Sequence, residues 1–210
     1  MNIDPVAAAI GFGVLLLSLT IHEAAHAWSA DKLGDPTARM LGRVSLNPLV
    51  HIDWIGTVLL PIIAAISRFP LIGWAKPVPV NLRNLRHPRR DFMIVAAAGP
   101  ISNLLQAFIA AGVLRMVWDG TVGEDGPGVL VTFLYIAVQV NLLLAFFNLI
   151  PIPPLDGGNV LMGLLPPSMA AMLDQVRNFG FIILYALMLT GIASALIIPP
   201  TNFFMRILIP

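Results

Sequence analysis

The stretch LTIHEAAHAW, Leu19 to Trp28, closes an apolar segment that begins near Val6, and it sets two imidazoles and a carboxylate inside a run otherwise suited to hydrocarbon. How that segment is read decides the fold. Hydrophobic residues make up 58% of the 210-residue chain and charged residues 11%, with a mean hydropathy of +0.86. Soluble domains are closer to half apolar and a quarter charged. The composition implies an all-α polytopic membrane protein, with residues 1–210 forming a single domain.

A hydrocarbon core about 30 Å thick takes roughly 20 helical residues to cross. Apolar runs of that length predict helices at 6–28, 91–118, 129–150 and 178–198, and only the first carries ionisable groups in mid-run. The run from Trp54 to Ser67 is too short to cross, contains Pro61, and is followed by a second short run from Phe69 to Ala75. A re-entrant hairpin is expected there, giving four to six membrane helices in all. Arg68, Lys76, Arg83, Arg86, Arg89 and Arg90 occur with no acid between them, which places that stretch in the cytoplasm. Asp119, Glu124 and Asp125 occupy a loop without a base, expected outside. The N-terminus is then outside, and the HEAAH end of the first helix shares the cytoplasmic side with the proline-rich end of the third. Met1 to Pro5 lacks the basic region of a signal peptide, so the first segment is expected to be retained. A net charge of +1 gives no sign of nucleic-acid binding.

The segments 42–48 and 76–81 combine β-branched residues with prolines, and short edge strands are expected at both, within a re-entrant and extended region spanning 42–81. Met169, Met172, Leu173 and Val176 fall at helical spacing, so a short surface helix is expected between Pro166 and Phe179.

On a helix, residues four apart lie about 40° apart around the axis, so His22 and His26 face one ion together and Glu23 flanks them. That is the pattern of a zinc hydrolase, two imidazoles on Zn²⁺ and a carboxylate that takes a proton from water. The plain alternative, a solvated helix face, weakens inside a membrane, where a lone glutamate costs roughly 3 kcal/mol near the centre. A third ligand is needed. The chain has no cysteine, so His51, His87, Asp53, Asp91 and Asp156 are the candidates. Asp156 lies in NLIPIPPLDGG, Asn148 to Gly158, just beyond a helix that Pro151, Pro153 and Pro154 stop. It is either a ligand or an ordinary turn aspartate.

HEAAH, then AAAGPISN from Ala96 to Asn103, then NLIPIPPLDGG together resemble the site-2 protease family of intramembrane zinc metalloproteases, peptidase family M50. GRVSLNPLVHIDWIGT from Gly42 and GWAKPVPVN from Gly73 resemble its compact members. The resemblance implies one Zn²⁺ per chain held by His22, His26 and Asp156, with Glu23 as general base and Asn148 as the amide that steadies an oxyanion. Asn148 also reads as a helix-packing amide, and Asn141 more simply so. The helix at 91–118 is expected to be scaffold beside the metal, with Asn103 a polar contact, and His51 and Asp53 are left outside the site. The implied partners are a transmembrane protein substrate and the lipid bilayer of the cell membrane, with the active site towards the cytoplasm. The rival reading is a zinc-binding membrane protein without activity, or a metal carrier.

Overall fold

The computed structural model of the chain describes residues 5–67, 75–118 and 127–209, and all regular structure among them is helical. Helix α1 runs Pro5–Lys32 and α2 Thr37–Met40; a 3-10 turn follows at Pro48–Val50, and a π-helical turn, Trp54–Leu59, leads into α3, Leu60–Ser67. Helix α4 is Pro88–Val117, α5 Val129–Asn148 and α6 Asp156–Leu164. Helix α7, Pro167–Val176, passes through the 3-10 turn Arg177–Phe179 into α8, Gly180–Leu189, and α9 is Ile192–Leu208. Four stretches are long and apolar enough to cross a membrane: Pro5–Lys32, Pro88–Val117, Val129–Asn148 and Pro167–Leu189. The chain is a multi-pass membrane protein.

Two expectations need correction. The fourth span is not 178–198. It comprises α7 and α8, and it stops at Leu189 because Gly191 takes a left-handed φ of +79°, a backbone state that ends helices and that glycine adopts without steric cost. The apolar run continues through that break, which is why hydropathy alone misplaces it. The helix expected on the surface between Pro166 and Phe179 is present as α7, with no buried residue, but it forms the first half of this span.

The edge strands expected at 42–48 and 76–81 are absent among the described residues. Pro48, Pro77 and Pro79 supply no N–H to a ladder. Among the described residues no backbone bond joins the two segments, and Lys76 N–H bonds instead to the His51 carbonyl at 2.9 Å. The buried Arg43 guanidinium does the rest, donating to the carbonyls of Val50, Lys76 and Pro77. Within the run expected to be re-entrant the structure shows the π-turn and α3, and residues 68–74, where a return was expected, lie outside the described residues.

Helices α1, α4 and α5 form the centre. Moving from His22 to His26 along α1 moves the partner in α4 from Asn103 back to Val95, the register of an antiparallel pair. Val14, Ala107, Ala110, Ala111, Leu114, Ala137, Val138 and Leu142 make the main apolar cluster. Lipid is as apolar as leucine, so helices in a membrane associate through close packing, and alanine at the crossing permits it. Leu105, Phe108, Ile109 and Leu130 point outward from the same helices, as lipid-facing residues do.

The loop after α1 is fastened by Asp35, fully buried. Its carboxylate accepts from Thr37 N–H and Oγ1–H, from Asn84 Nδ2, and from Asn81 N–H at 2.6 Å. These bonds tie the segment 75–86 to the end of α1. Burial alone would push the Asp35 carboxyl up, but the donors from Thr37, Asn84 and Asn81 prevail and hold it below the ordinary 3.8. A group lowered in the folded state lends stability that is complete above its unfolded value and is lost as pH falls through the folded one. Limited proteolysis within 75–86 is therefore expected to accelerate below about pH 4 in the wild type. In Asp35→Asn the acceleration should be blunted and the cleavage fast at neutral pH; equal pH profiles for the two would remove Asp35 from this role.

Candidate metal centre

The ligand cluster is assembled from two helices, α1 and α6. His22, Glu23 and His26 come from the C-terminal half of α1 and are buried. Asp156 is the first residue of α6, where the positive end of the helix dipole favours a carboxylate. That short helix was not expected from sequence, which left Asp156 as either a ligand or a turn aspartate. It is pressed tightly against the preceding chain: a Cβ on Gly157 would collide with the carbonyl of Leu149, and one on Gly158 with the backbone of Pro153. Only glycine fits at either place.

The tautomers follow from the hydrogen bonds. The Ala137 carbonyl can only accept, so Asn141 gives it Nδ2–H at 2.9 Å and turns its Oδ1 towards Asn103. Asn103 therefore donates Nδ2–H to Asn141 at 2.9 Å and presents its own Oδ1 to His22 Nδ1 at 2.6 Å. The Val95 carbonyl fixes His26 in the same way, through Nδ1 at 2.7 Å. Each ring then carries its proton on Nδ1 and a lone pair on Nε2. Those two Nε2 atoms lie 3.0 Å apart, and Asp156 Oδ2 stands 3.1 and 3.3 Å from them. Oδ2 is buried and receives no hydrogen bond. Three electron-rich atoms converge with no proton to separate them, an arrangement that demands a cation.

The dimensions fit zinc. Tetrahedral bonds of about 2.0–2.1 Å put neighbouring ligand atoms about 3.3 Å apart. Histidines bound to a metal commonly donate their other N–H to a carbonyl, as both do here. Gly99 completes the cradle, since a Cβ there would run into Nε2 of both rings. Of the other candidate ligands His87 is exposed and outside the cluster, and the remaining three are occupied elsewhere. His51 Nε2 donates to the Ser45 carbonyl, Asp53 caps the π-turn through Ile55 and Gly56, and Asp91 caps α4 by accepting from the His87 N–H. Among the described residues, His22, His26 and Asp156 are the one cluster able to hold a metal.

A cavity of about 500 Å³ opens on this cluster. Glu23 and Asn148 line it, together with Leu19, Phe92, Val78 and Val80. One Asn148 N–H is spent on the Leu144 carbonyl at 3.0 Å, which leaves the second for a ligand.

The resemblance brought His22, His26 and Asp156 together, and the structure places all three at one point. Sequence reasoning undervalued Asn103 and Asn141, which form a relay into the site, and treated the helix that carries Gly99 as scaffold. Two amides in otherwise apolar helices, and a glycine directly before Pro100, were the available signals.

Comparison with known proteins points the same way. The model of peptidase family M50 matches residues 126–191, a stretch that contains Asn148 and Asp156. A Bacillus subtilis protein provisionally named zinc metalloprotease YwhC is 40% identical over 192 residues, covering 90% of this chain and 84% of its own. Proteins provisionally named zinc metalloprotease Rip2 are 34% identical in Mycolicibacterium smegmatis and 30% in Mycobacterium tuberculosis, each over 83% of this chain and 64% of the relative. No solved structure matches the chain. The fold and the relatives define a membrane-embedded peptidase. The chain belongs to peptidase family M50, the site-2 protease family.

Replacing Asn103 by Leu removes the acceptor that orients His22, and zinc affinity is expected to fall roughly 10- to 100-fold. Gly99→Val should abolish binding by displacing both rings. Zinc titration of the purified variants, with helicity monitored in parallel, is the check; unchanged affinity in both would show that the relay and the cradle are incidental.

Proposed function

We propose that this protein hydrolyses peptide bonds of transmembrane proteins within the membrane, as an intramembrane zinc metalloendopeptidase. As a member of family M50 it is a zinc metalloprotease. The observation that carries the reading is the convergence of two Nε2 lone pairs and one unsatisfied carboxylate oxygen at a cavity inside a helical bundle. His22, His26 and Asp156 are the metal ligands. Bound there, zinc supplies a Lewis acid that polarises a carbonyl and makes water acidic enough to ionise near neutral pH.

The chain's own residues supply the remainder. Glu23, adjacent to His22 on the helix and in the cavity wall, accepts the proton of the attacking water and passes it to the leaving amine. The spare N–H of Asn148 stabilises negative charge developing on the carbonyl oxygen, an effect amplified in a low-dielectric site. A metal carrier has no use for a carboxylate beside a full ligand set, so Glu23 argues for the enzyme.

A transmembrane helix hides its carbonyls in its own hydrogen bonds, so the substrate has to unwind to be cut. Val78 and Val80 line the cavity, and their backbone groups make no hydrogen bond among the described residues. They offer the unwound segment an edge to pair with, by strand addition. The basic residues from Lys76 to Arg90 support an orientation with this edge and the site towards the cytoplasmic face of the cell membrane.

Glu23→Gln should retain zinc and lose cleavage of a transmembrane reporter by roughly 10²- to 10⁴-fold, while Asp156→Ala should lose zinc. Zinc bound stoichiometrically by a wild type that cuts no reporter would sink the protease reading. Separately, proline at both Val78 and Val80 should slow cleavage with zinc content unchanged; an undiminished rate would rule out strand addition.

A further inference from the structure

The cavity that opens on the metal cluster is mostly apolar, and Arg177 is the only Lys or Arg in its wall among the described residues. The side chain comes from the 3-10 turn that joins α7 to α8, far along the chain from the other groups of the site. It is held in place. Nε donates to Asp174 at 2.8 Å and Nη2 to Asn159 Oδ1 at 2.9 Å, with Met162 Sδ 3.9 Å away. Nη1 has no partner among the described residues, so two N–H donors of a fixed guanidinium remain available.

The position is set by α6. Asn159 lies three residues after Asp156, hence on the same face and about 4.5 Å further along the helix axis. Arg177 thereby bonds to a residue about one helical turn from a metal ligand. An extended peptide advances about 3.3 Å per residue, so a side chain one or two residues from the bond being cut lies at that range. We infer that Arg177 is a specificity residue of this protease, recognising an acidic side chain of the substrate within two residues of the scissile bond.

The chemistry favours a carboxylate. Arginine pairs with one through parallel N–H bonds, and a bond between two charged groups in a partly dry cavity is stronger than one between neutral groups. Asp174 does not fill that role. Its side chain is 61% exposed at the rim and occupies Nε, which orients the guanidinium and leaves Nη1 for a ligand. A substrate with Lys or Arg at the same place would meet a like charge held in position.

This inference rests on the protease reading, and the test separates the two. Three transmembrane reporters that differ only in carrying Asp, Gln or Arg at the positions flanking the cleaved bond are mixed and digested together. Mass spectrometry gives the cleavage position and the relative kcat/KM within one tube, so the amount of active enzyme cancels. The wild type should favour Asp over Gln roughly tenfold and disfavour Arg. Arg177→Glu should invert that order, and Arg177→Gln, in case the charge reversal fails to fold, should flatten it. A purely structural role for Arg177 would change rates and leave the order intact. Wild-type cleavage without charge preference, or a preference that survives in either variant, overturns the inference and leaves the protease standing. Cleavage of no reporter by the zinc-loaded wild type overturns both.

Discussion

The orientation of His22 depends on a carbonyl three residues removed from it in a chain of amides. Because the Ala137 oxygen can only accept, Asn141 and Asn103 each have one permitted orientation, and His22 is left with its lone pair on Nε2. Three helices take part in that chain, α5, α4 and α1. Any shift of one against another breaks a buried amide bond in a medium with no water to replace it. The relay therefore aligns the bundle and prepares the site at once, and the alanine-rich crossing of α4 with its neighbours gives the close approach it requires.

The surroundings obey the same constraint. Irregular backbone at membrane depth survives only where protein or a wet cavity receives its polar groups. The turn between α5 and α6 meets this with its own backbone bonds, Ile150 N–H to the Phe147 carbonyl, Leu155 N–H to Ile152 and Gly158 N–H to Leu155. The segments on either side of the π-turn meet it through one arginine that gathers three carbonyls. Pro100 contributes from within α4. It offers no N–H to the turn before it, in the same stretch of helix where the Val95 carbonyl accepts a proton from His26.

How much of this the sequence disclosed varies with the physics involved. Hydropathy located three of the four spans to within a few residues, because burial in lipid depends on composition over a long window. It misplaced the fourth, because the stop at Gly191 is a matter of one backbone angle within an unbroken apolar run. The HEAAH spacing placed His22 and His26 on one face with Glu23 on its flank, since helix geometry is fixed. Asp156 was reached through resemblance, and no periodicity connects it to α1. The strands anticipated at 42–48 and 76–81 were read from β-branched residues, whose preference the prolines override. The Asn141 to Asn103 relay could not be inferred without knowing which helices touch, and Arg177 became relevant to the cavity only when α6 and the turn after α7 were seen side by side.

Among the described residues, the segment that borders the cavity is hydrogen-bonded at its two ends and not between. Arg43 and the His51 carbonyl grip Lys76 and Pro77, while Asp35 grips Asn81 and Asn84. The three intervening residues, Val78, Pro79 and Val80, carry none of that load. Their side chains can diverge among related proteins with little penalty to folding, so the choice of what is cut can evolve independently of the machinery that cuts it.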